Sequence, residues 1–482
     1  MVSPRRRPEM AKEISRRKMM RSIAAGGLVL AGSMTPLESL IASQGRPMPK
    51  RGPQPPGPAV SRFPAVLTEG KVIQPRRELE ILHKTDVLVV GGGPAGTAAA
   101  LAAKRLNVDV TLVERYGYLG GLATGGLVLA IFPLYDRSNH QVILGIGEEM
   151  MKRLDVLKFG IIERNKAPVY PTVDPEAFKY VLAEMVLDSG MDAYLDCWGV
   201  DAIIDAAGAV RGAVFESKSG RQAILADVVV DASGDGDIFA AAGAAFEKIL
   251  DNIGLDSRLG NVSVQDVLDE HLANAVGPRD QTDGRPARGM PVTAFDGQVG
   301  SPTPAPGMNW INMKGPVGDG LDVAELSRME LLHRRALWKN LEKARTKHGA
   351  EEAFIAETAP QMGVRLTRLL DGEKKLSARE MNAGAKFKDV IGYSGTYANA
   401  PAFQIPYGCL VPAKLENLLA AGRCVSAEFP VADTLRLIPV CWVTGQAAGT
   451  AAALSVKDGC RPRDVNVLKL QDELRKDGAY LG

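Results

Sequence analysis

Cysteine is scarce in this chain. Five are scattered over 482 residues, at Cys197, Cys409, Cys424, Cys441 and Cys460. No two form a Cys-x-x-Cys pair, so a zinc or iron–sulfur centre has no ligand set and no metal is expected. The odd number argues against a complete disulfide framework and favours buried free thiols. An excess of one charge is missing too: 58 Lys and Arg face 56 Asp and Glu, a net +2. That balance provides no whole-chain field to draw nucleic acid or an anionic membrane. The apolar run from Ile23 to Ala31 falls short of the about 20 residues that span a bilayer, so no stable membrane span is expected. There is no internal repeat, no Ser-His-Asp order and no paired-carboxylate signature. What is present is an ordinary globular balance, 46% apolar and 24% charged. It suffices for a large core and for two or three domains, or for one two-lobed enzyme.

Basic residues cluster early, from Arg5 to Arg21. The stretch Ser15–Met34, "SRRKMMRSIAAGGLVLAGSM", has a basic start, a short apolar run and then small residues. This is the layout of a signal peptide. Arg16-Arg17 after Ser15 resembles the twin-arginine export motif, with Met19-Met20 where Phe-Leu is usual. Residues 1–43 are therefore expected to be an export signal read by the twin-arginine machinery, which sends the protein to the periplasm. Cutting after Ser33 or Ala42 fits the small residues there. Gly45–Pro58, "GRPMPKRGPQPPGP", is rich in Pro and Gly and cannot pack a core, so residues 44–81 are expected to be linker.

The folded part is expected to start near Leu82. Asp86–Val90 reads as an apolar strand. Gly91-x-Gly93-x-x-Gly96 follows, then an alanine-rich helix from Pro94 to about Leu106 and a second strand, Val108–Val113, ending in Glu114. Each part suits a dinucleotide. Gly91 permits the tight turn, Gly93 lets a pyrophosphate approach the backbone, and Gly96 lets helix and strand pack closely. The helix start, with Pro94 and Ala95, offers free N–H groups and positive dipole to phosphates. Glu114 stands where a carboxylate accepts hydrogen bonds from a ribose diol, and its charge disfavours the 2′-phosphate of NADP.

Three further stretches decide which dinucleotide. Glu114-Arg115 leads into "YGYLGGLATGG", which carries Gly120 and Gly121. Ala226–Ala244 holds a buried strand and a "DASGDGD" turn. Asn417–Leu454 holds "AGRCVS", then Arg436 and "GQAAG". These motifs, in this order, resemble the FAD-dependent oxidoreductase family with the glutathione-reductase-type two-dinucleotide-binding fold. Gly145–Leu154, Val173–Met185, Gly363–Leu370 and Ile405–Pro412 match as well, so the resemblance covers most of Asp86–Leu454. It implies FAD and an α/β fold: a Rossmann-like FAD-binding domain, with a parallel sheet, helices and a small antiparallel sheet, plus an inserted α+β substrate domain. The FAD-binding domain would be discontinuous (82–130, 170–250 and 405–460), with the cap region in 131–169 and 251–404 and a C-terminal helix in 461–482.

The resemblance also implies roles. Gly91, Gly93 and Gly96 would meet pyrophosphate and Glu114 the adenosine ribose. Arg115 and Gly121 would lie along the phosphates and ribitol. Val200 would offer backbone to the adenine, and Ala232, Ser233 and Gly234 would close over that side. Gly422 and Arg423 would meet pyrophosphate or ribitol. Gly445 and Gln446, at a helix N-terminus, would present N–H groups to the flavin pyrimidine edge, where reduced flavin carries negative charge.

The substrate side is less patterned. Gly277–Gly318 is expected to be loop. Asp322 can N-cap a helix to about Lys347 that puts His333 on its packed face. His140, in a loop, could face the flavin. The expected catalytic residues are cationic or phenolic: Arg436 in "DTLRLIP", Arg365 on a helix shared with Arg368, and Tyr407 in "QIPYGCL". An arginine can hold a carboxylate bidentately or stabilise an oxyanion. Three functions stay open at this point. One is a dehydrogenase or oxidase that passes a hydride from a small organic substrate to flavin N5. The second is a reductase or monooxygenase fed by NAD(P)H, for which a second G-x-G-x-x-G is missing. The third is a non-catalytic flavin-binding protein.

Overall fold

The strand Glu80–Val90 sets the frame. Its last four residues, Val87 to Val90, are at most 4% exposed. Covering on both faces is the mark of a central parallel strand. The computed structural model describes residues 64–164, 171–263, 297–312, 315–397 and 400–482. The expected export signal at 1–43 lies outside the described residues. Within 1–77, the first of two units, Val66–Thr68 and Lys71–Ile73 pair as an antiparallel hairpin with exposed side chains. That hairpin stands in the segment expected to be linker.

The second unit, 78–482, is built on a mixed sheet. Five strands run parallel in the order Asp192–Tyr194, Val110–Val113, Glu80–Val90, Gly220–Asp231, Leu418–Ala420. One edge of the Gly220–Asp231 strand is shared between two partners. Its first half pairs antiparallel with Val210–Ser217, which continues to Trp198–Ile204. Its last three residues pair parallel with Leu418–Ala420. The result is the parallel sheet plus small antiparallel sheet expected of a Rossmann-like FAD-binding α/β fold.

Two helices cross one face of this sheet. Pro94–Arg105 starts with proline at its first position, where a missing N–H costs nothing. Ile438–Asp458 lies against it. Cβ atoms at Gly445 and Gly449 would sit 2.1 and 2.0 Å from the carbonyl oxygens of Ala95 and Ala99. Glycine on one helix facing alanine on the other is what lets the two backbones touch. This corrects one expectation. Gly445 and Gln446 are mid-helix, because the helix begins seven residues earlier, at Ile438. The Gly-Gln-Ala-Ala-Gly stretch is a packing face rather than a helix start. The Gln446 side chain instead ties elements together: Oε1 accepts from Ile146 N–H at 3.1 Å, and Nε2 donates to Asp477.

The substrate side is α+β. A four-stranded antiparallel sheet has the order Ser301–Pro302, Met308–Ile311, Ser257–Gly260, Phe354–Thr358. Its first two strands lie in the segment expected to be loop. A three-stranded sheet joins Val317–Gly318, Asp251–Gly254 and Gly363–Val364. The helix Val323–Ala344 is capped as expected, with the Asp322 carboxylate accepting from Ala324 and Glu325 N–H. His333 is fully buried on it, its Nδ1 2.7 Å from Met329 O. Arg365 and Arg368 do not share a helix. They follow and open short strands, Gly363–Val364 and Arg368–Leu370. The C-terminal helix is shorter than expected, Val467–Lys476. Among the described residues no single helix is long and apolar enough to cross a membrane, and no cluster of His, Cys, Asp and Glu could hold a metal ion. The five cysteines are free thiols.

Candidate active site

The carboxyl ends of the parallel strands open on a cleft with about 1460 Å³ of space free of protein atoms, continuous with solvent. This is where ligands bind in open α/β sheets. Its floor is the glycine turn. Gly91 has φ +104°, and a Cβ there would lie 2.4 Å from Ala232 O. At Gly96 a Cβ would fall 1.6 Å from Gly91 O, so only glycine lets the helix start against the strand. Gly93 differs. Its backbone is extended (φ −70°, ψ −170°), and a Cβ would find only Gly121 Cα, 4.0 Å away. The chain leaves space at the one point where the helix N–H groups face the cleft. That open space fits a pyrophosphate. Gly121 lines the facing wall; Gly120, which like Gly121 has positive φ, is not among the lining residues and donates its N–H to Gly92 O at 2.8 Å.

Glu114 ends the second strand and is 6% exposed. Its Oε2 accepts from Gly92 N–H at 2.6 Å and its Oε1 from Tyr116 N–H at 2.9 Å. Burial raises its carboxyl above the usual range, and those two backbone donors work the other way. At Gly92, a variable position of the motif, a Cβ would meet the end of the Leu119 side chain at 2.6 Å and Glu114 Cβ at 3.0 Å, a milder demand than the backbone contact at Gly91. The Arg115 guanidinium stands between two rings, 4.8 Å from Tyr116 and 5.7 Å from Trp198. Cys197, Trp198 and Gly199 line this end of the cleft. Val200 does not, and sits at the bulge between Gly199 and Asp201.

The "DASGDGD" turn is organised by a carboxylate that the sequence left unassigned. Asp231 is fully buried. It accepts from Ser233 N–H and Oγ–H through one oxygen, and from Ile238 and Phe239 N–H at 2.9 Å through the other. Ala232, Ser233 and Gly234 are thereby held at the cleft. Arg423 crosses behind Gly234, donating to Val364 O, to Arg365 O at 3.1 Å and to Asp235 Oδ1 at 3.2 Å. Gly422 (φ +83°) donates its N–H to Thr444 Oγ1. Asp237, also in the wall, has its carboxyl raised to about 6 by burial and by Asp235 and Asp231.

Arg365 and Arg436 line the same cleft, with Asp256, Gln361, Phe132 and Tyr397. The Phe132 and Tyr397 rings stack at 5.4 Å. Arg436 Nε and Nη2 both donate to Asp433 Oδ1, at 2.9 and 2.6 Å. Burial, and then Arg436, push the Arg365 guanidinium below its usual range. The element whose N-terminus meets this region is the Ile438 helix, through Leu437, Ile438 and Cys441, in the place expected for Gly445 and Gln446. Tyr407 is not in the cleft. It is 4% exposed and donates its hydroxyl to Pro462 O at 2.7 Å. His140 is likewise outside, against the Tyr480 ring. Asp256 and Gln361 belong to no motif, so sequence reasoning had no signal for them.

The FAD dependent oxidoreductase family model matches residues 86–474. A curated relative, dihydrolipoyl dehydrogenase 3 of Haloarcula marismortui, is 45% identical over 49 residues. That match spans only 10% of this chain and 10% of the relative. Similar solved structures include a geranylgeranyl bacteriochlorophyll reductase-like protein from Thermoplasma acidophilum, at 15% identity and TM-score 0.41, covering 82% of this chain and 83% of that one. Another is p-nitrophenol 4-monooxygenase PnpA from Pseudomonas putida, at 12% identity and TM-score 0.46, covering 83% and 87%. The chain belongs to the FAD-dependent oxidoreductase family: it is an enzyme, and FAD is its cofactor.

Proposed function

We propose that the protein is a dehydrogenase or oxidase acting on a small organic substrate in the periplasm. One observation carries this reading. The cleft that begins at Glu114 and the glycine turn continues to a chamber built from different chemistry, two arginines, a carboxylate, an amide and two stacked rings. When bound, FAD would supply a hydride acceptor at its N5, with O₂ or another acceptor as the final oxidant. Glu114, Gly93 and the Ser233–Gly234 turn would hold its adenosine and phosphates. The Ile438 helix N-terminus favours negative charge beside it. Phe132 and Tyr397 exclude water, and Arg436 orients the substrate or steadies the flavin. Feeding by NAD(P)H has less support, since the chain holds a single G-x-G-x-x-G.

Replacing Arg436 with Ala should leave FAD bound and slow anaerobic flavin reduction at least tenfold, about 1.4 kcal/mol or more. Equal reduction rates would remove Arg436 from the reaction. Export is supported by Arg16-Arg17 and the short apolar run after them. Arg16→Lys with Arg17→Lys should strand the protein in the cytoplasm, as read by fractionation. Undiminished export of the pair would refute it.

A further inference from the structure

The two arginines of the chamber are not equivalent. Arg436 is satisfied by Asp433, which takes two of its N–H groups. Arg365 has no such partner. Among the described residues no carboxylate lies within ion-pair distance of it, and its hydrogen bond is Nη1 to Asn252 O, a long 3.3 Å. A cation withdrawn from water without a counter-ion is costly, and a second cation nearby raises that cost. Burial and Arg436 both act against Arg365, and Asp256, Asp251 and Asp433 offset part of this without pairing with it. Gln361, which lines the same cleft, is 7% exposed and its Oε1 has no partner. A buried amide oxygen left bare is a further cost. The remaining carboxylate of the chamber, Asp256, already accepts from Trp310 Nε1 at 3.3 Å.

An anion and a hydrogen-bond donor are therefore both wanted in the same cleft. We infer that the substrate is a carboxylic acid bearing a hydroxyl or amino group near its carboxylate. The carboxylate pairs with Arg365, and the neighbouring donor meets Gln361 Oε1. This rests on the cleft being the FAD and substrate site, as proposed above. Summed charge does not choose the ligand, since Asp433 and Asp256 together match the two cations; the unpaired fork of Arg365 does. Guanidinium geometry favours the planar carboxylate by a bidentate contact.

The test titrates FAD-loaded enzyme with acetate and benzoate, with their amides acetamide and benzamide, and with inorganic phosphate. Binding is read from the visible flavin absorbance and independently by equilibrium dialysis. The acids are expected to saturate and the amides to bind at least tenfold more weakly. Arg365→Gln should weaken acid binding about ten- to a hundredfold, the range of one charge-assisted contact. Arg365→Lys, which keeps the charge and loses the fork, should recover part of it. Gln361→Leu should leave acetate binding intact and weaken glycolate, which carries a hydroxyl. Amides binding as well as acids, phosphate binding more tightly than either acid, no acid binding at all, or unchanged affinity in Arg365→Gln would each overturn the inference. A shifted flavin reduction potential in Arg365→Gln with acid binding unchanged would assign the arginine to the flavin instead. Reduction of the flavin by a neutral substrate would sustain the oxidoreductase reading and refute the acid. Failure of the protein to bind FAD would refute that reading, while dialysis would still score acids against amides.

Discussion

Gly93 and Gly96 are three residues apart in one motif, and the structure assigns them opposite jobs. Substitution by alanine separates a cofactor contact from a packing contact. At Gly96 the new Cβ would lie 1.6 Å from Gly91 O and 3.2 Å from Ala232 Cβ. Backbone cannot rotate aside as a side chain can, so the helix must back away from the strand. Overpacking costs about 1–3 kcal/mol, and this contact belongs at or above the upper end. At Gly93 the nearest atom is 4.0 Å away and the backbone is already in a region alanine adopts. The apoprotein should unfold within about 0.5 kcal/mol of wild type, or be raised by about 0.4–1 kcal/mol through a stiffer unfolded chain. The methyl group would occupy the approach to the helix N–H groups. Two charge-assisted bonds to a pyrophosphate, at about 1.5–3 kcal/mol each, would be lost, which is about 10²- to 10⁴-fold in FAD affinity. Denaturant unfolding of the apoproteins, followed by tryptophan fluorescence, gives the first quantity. FAD titration gives the second. A Gly93→Ala protein that binds FAD like wild type would refute the assignment of the open space to phosphate. A Gly93→Ala apoprotein as unstable as Gly96→Ala would refute the contrast.

Two other expectations are simpler to check. The Asp237 carboxyl, at about 6 in the fold against an ordinary 3.8, binds its proton more tightly folded than unfolded. Its contribution to stability is full at low pH, declines as pH rises from about 4 to about 6, and stays low above. At full weight the difference is about 3 kcal/mol, and partial exposure reduces it to about 1–2 kcal/mol. Urea unfolding of the apoprotein across that window should show the decline, and Asp237→Asn should flatten it; an unaltered slope in the variant would exonerate Asp237. Tyr407→Phe should cost about 1 kcal/mol, the price of one buried hydrogen bond to Pro462 O, with no change in flavin reduction rate. A slowed rate in stopped-flow would return Tyr407 to the reaction.

What could be read in advance was what short-range geometry dictates. The glycine turn, the helix after it and the acid at Glu114 follow from close approaches between residues near in sequence, and the structure places all three together. The Ile438 helix was misjudged for an opposite reason. Its glycines answer to Ala95 and Ala99, about 350 residues earlier, and a packing demand from so far away looks locally like a helix start. Arg365 and Arg368 have helical spacing but follow and open short strands, because Gly363–Val364 pairs with Ile253–Gly254 and Arg368–Leu370 with Phe246–Lys248, segments distant in the chain. Tyr407 stood out only because a tyrosine after proline in a matching stretch is conspicuous, and its hydroxyl was already committed to a main-chain oxygen. Asp256 and Gln361 reach the cleft from sheet ends with no pattern around them. Burial of an unpaired group is visible only once the chain is folded.

The strand Leu418–Ala420, which completes the parallel sheet beside Val229–Asp231, has a consequence in time. A ribosome adds about 5–20 residues per second, so the glycine turn emerges on the order of tens of seconds before its last neighbours exist. Until then the apolar edge at Val229 and the face that receives the Ile438 helix have nothing to cover them. Closing so long a loop is slow for any chain, and the nascent protein must be sheltered from aggregation in the interval. An order of assembly follows: the phosphate turn is made first, but it becomes a stable binding surface only when the final segment arrives, so cofactor capture is an event of the finished chain.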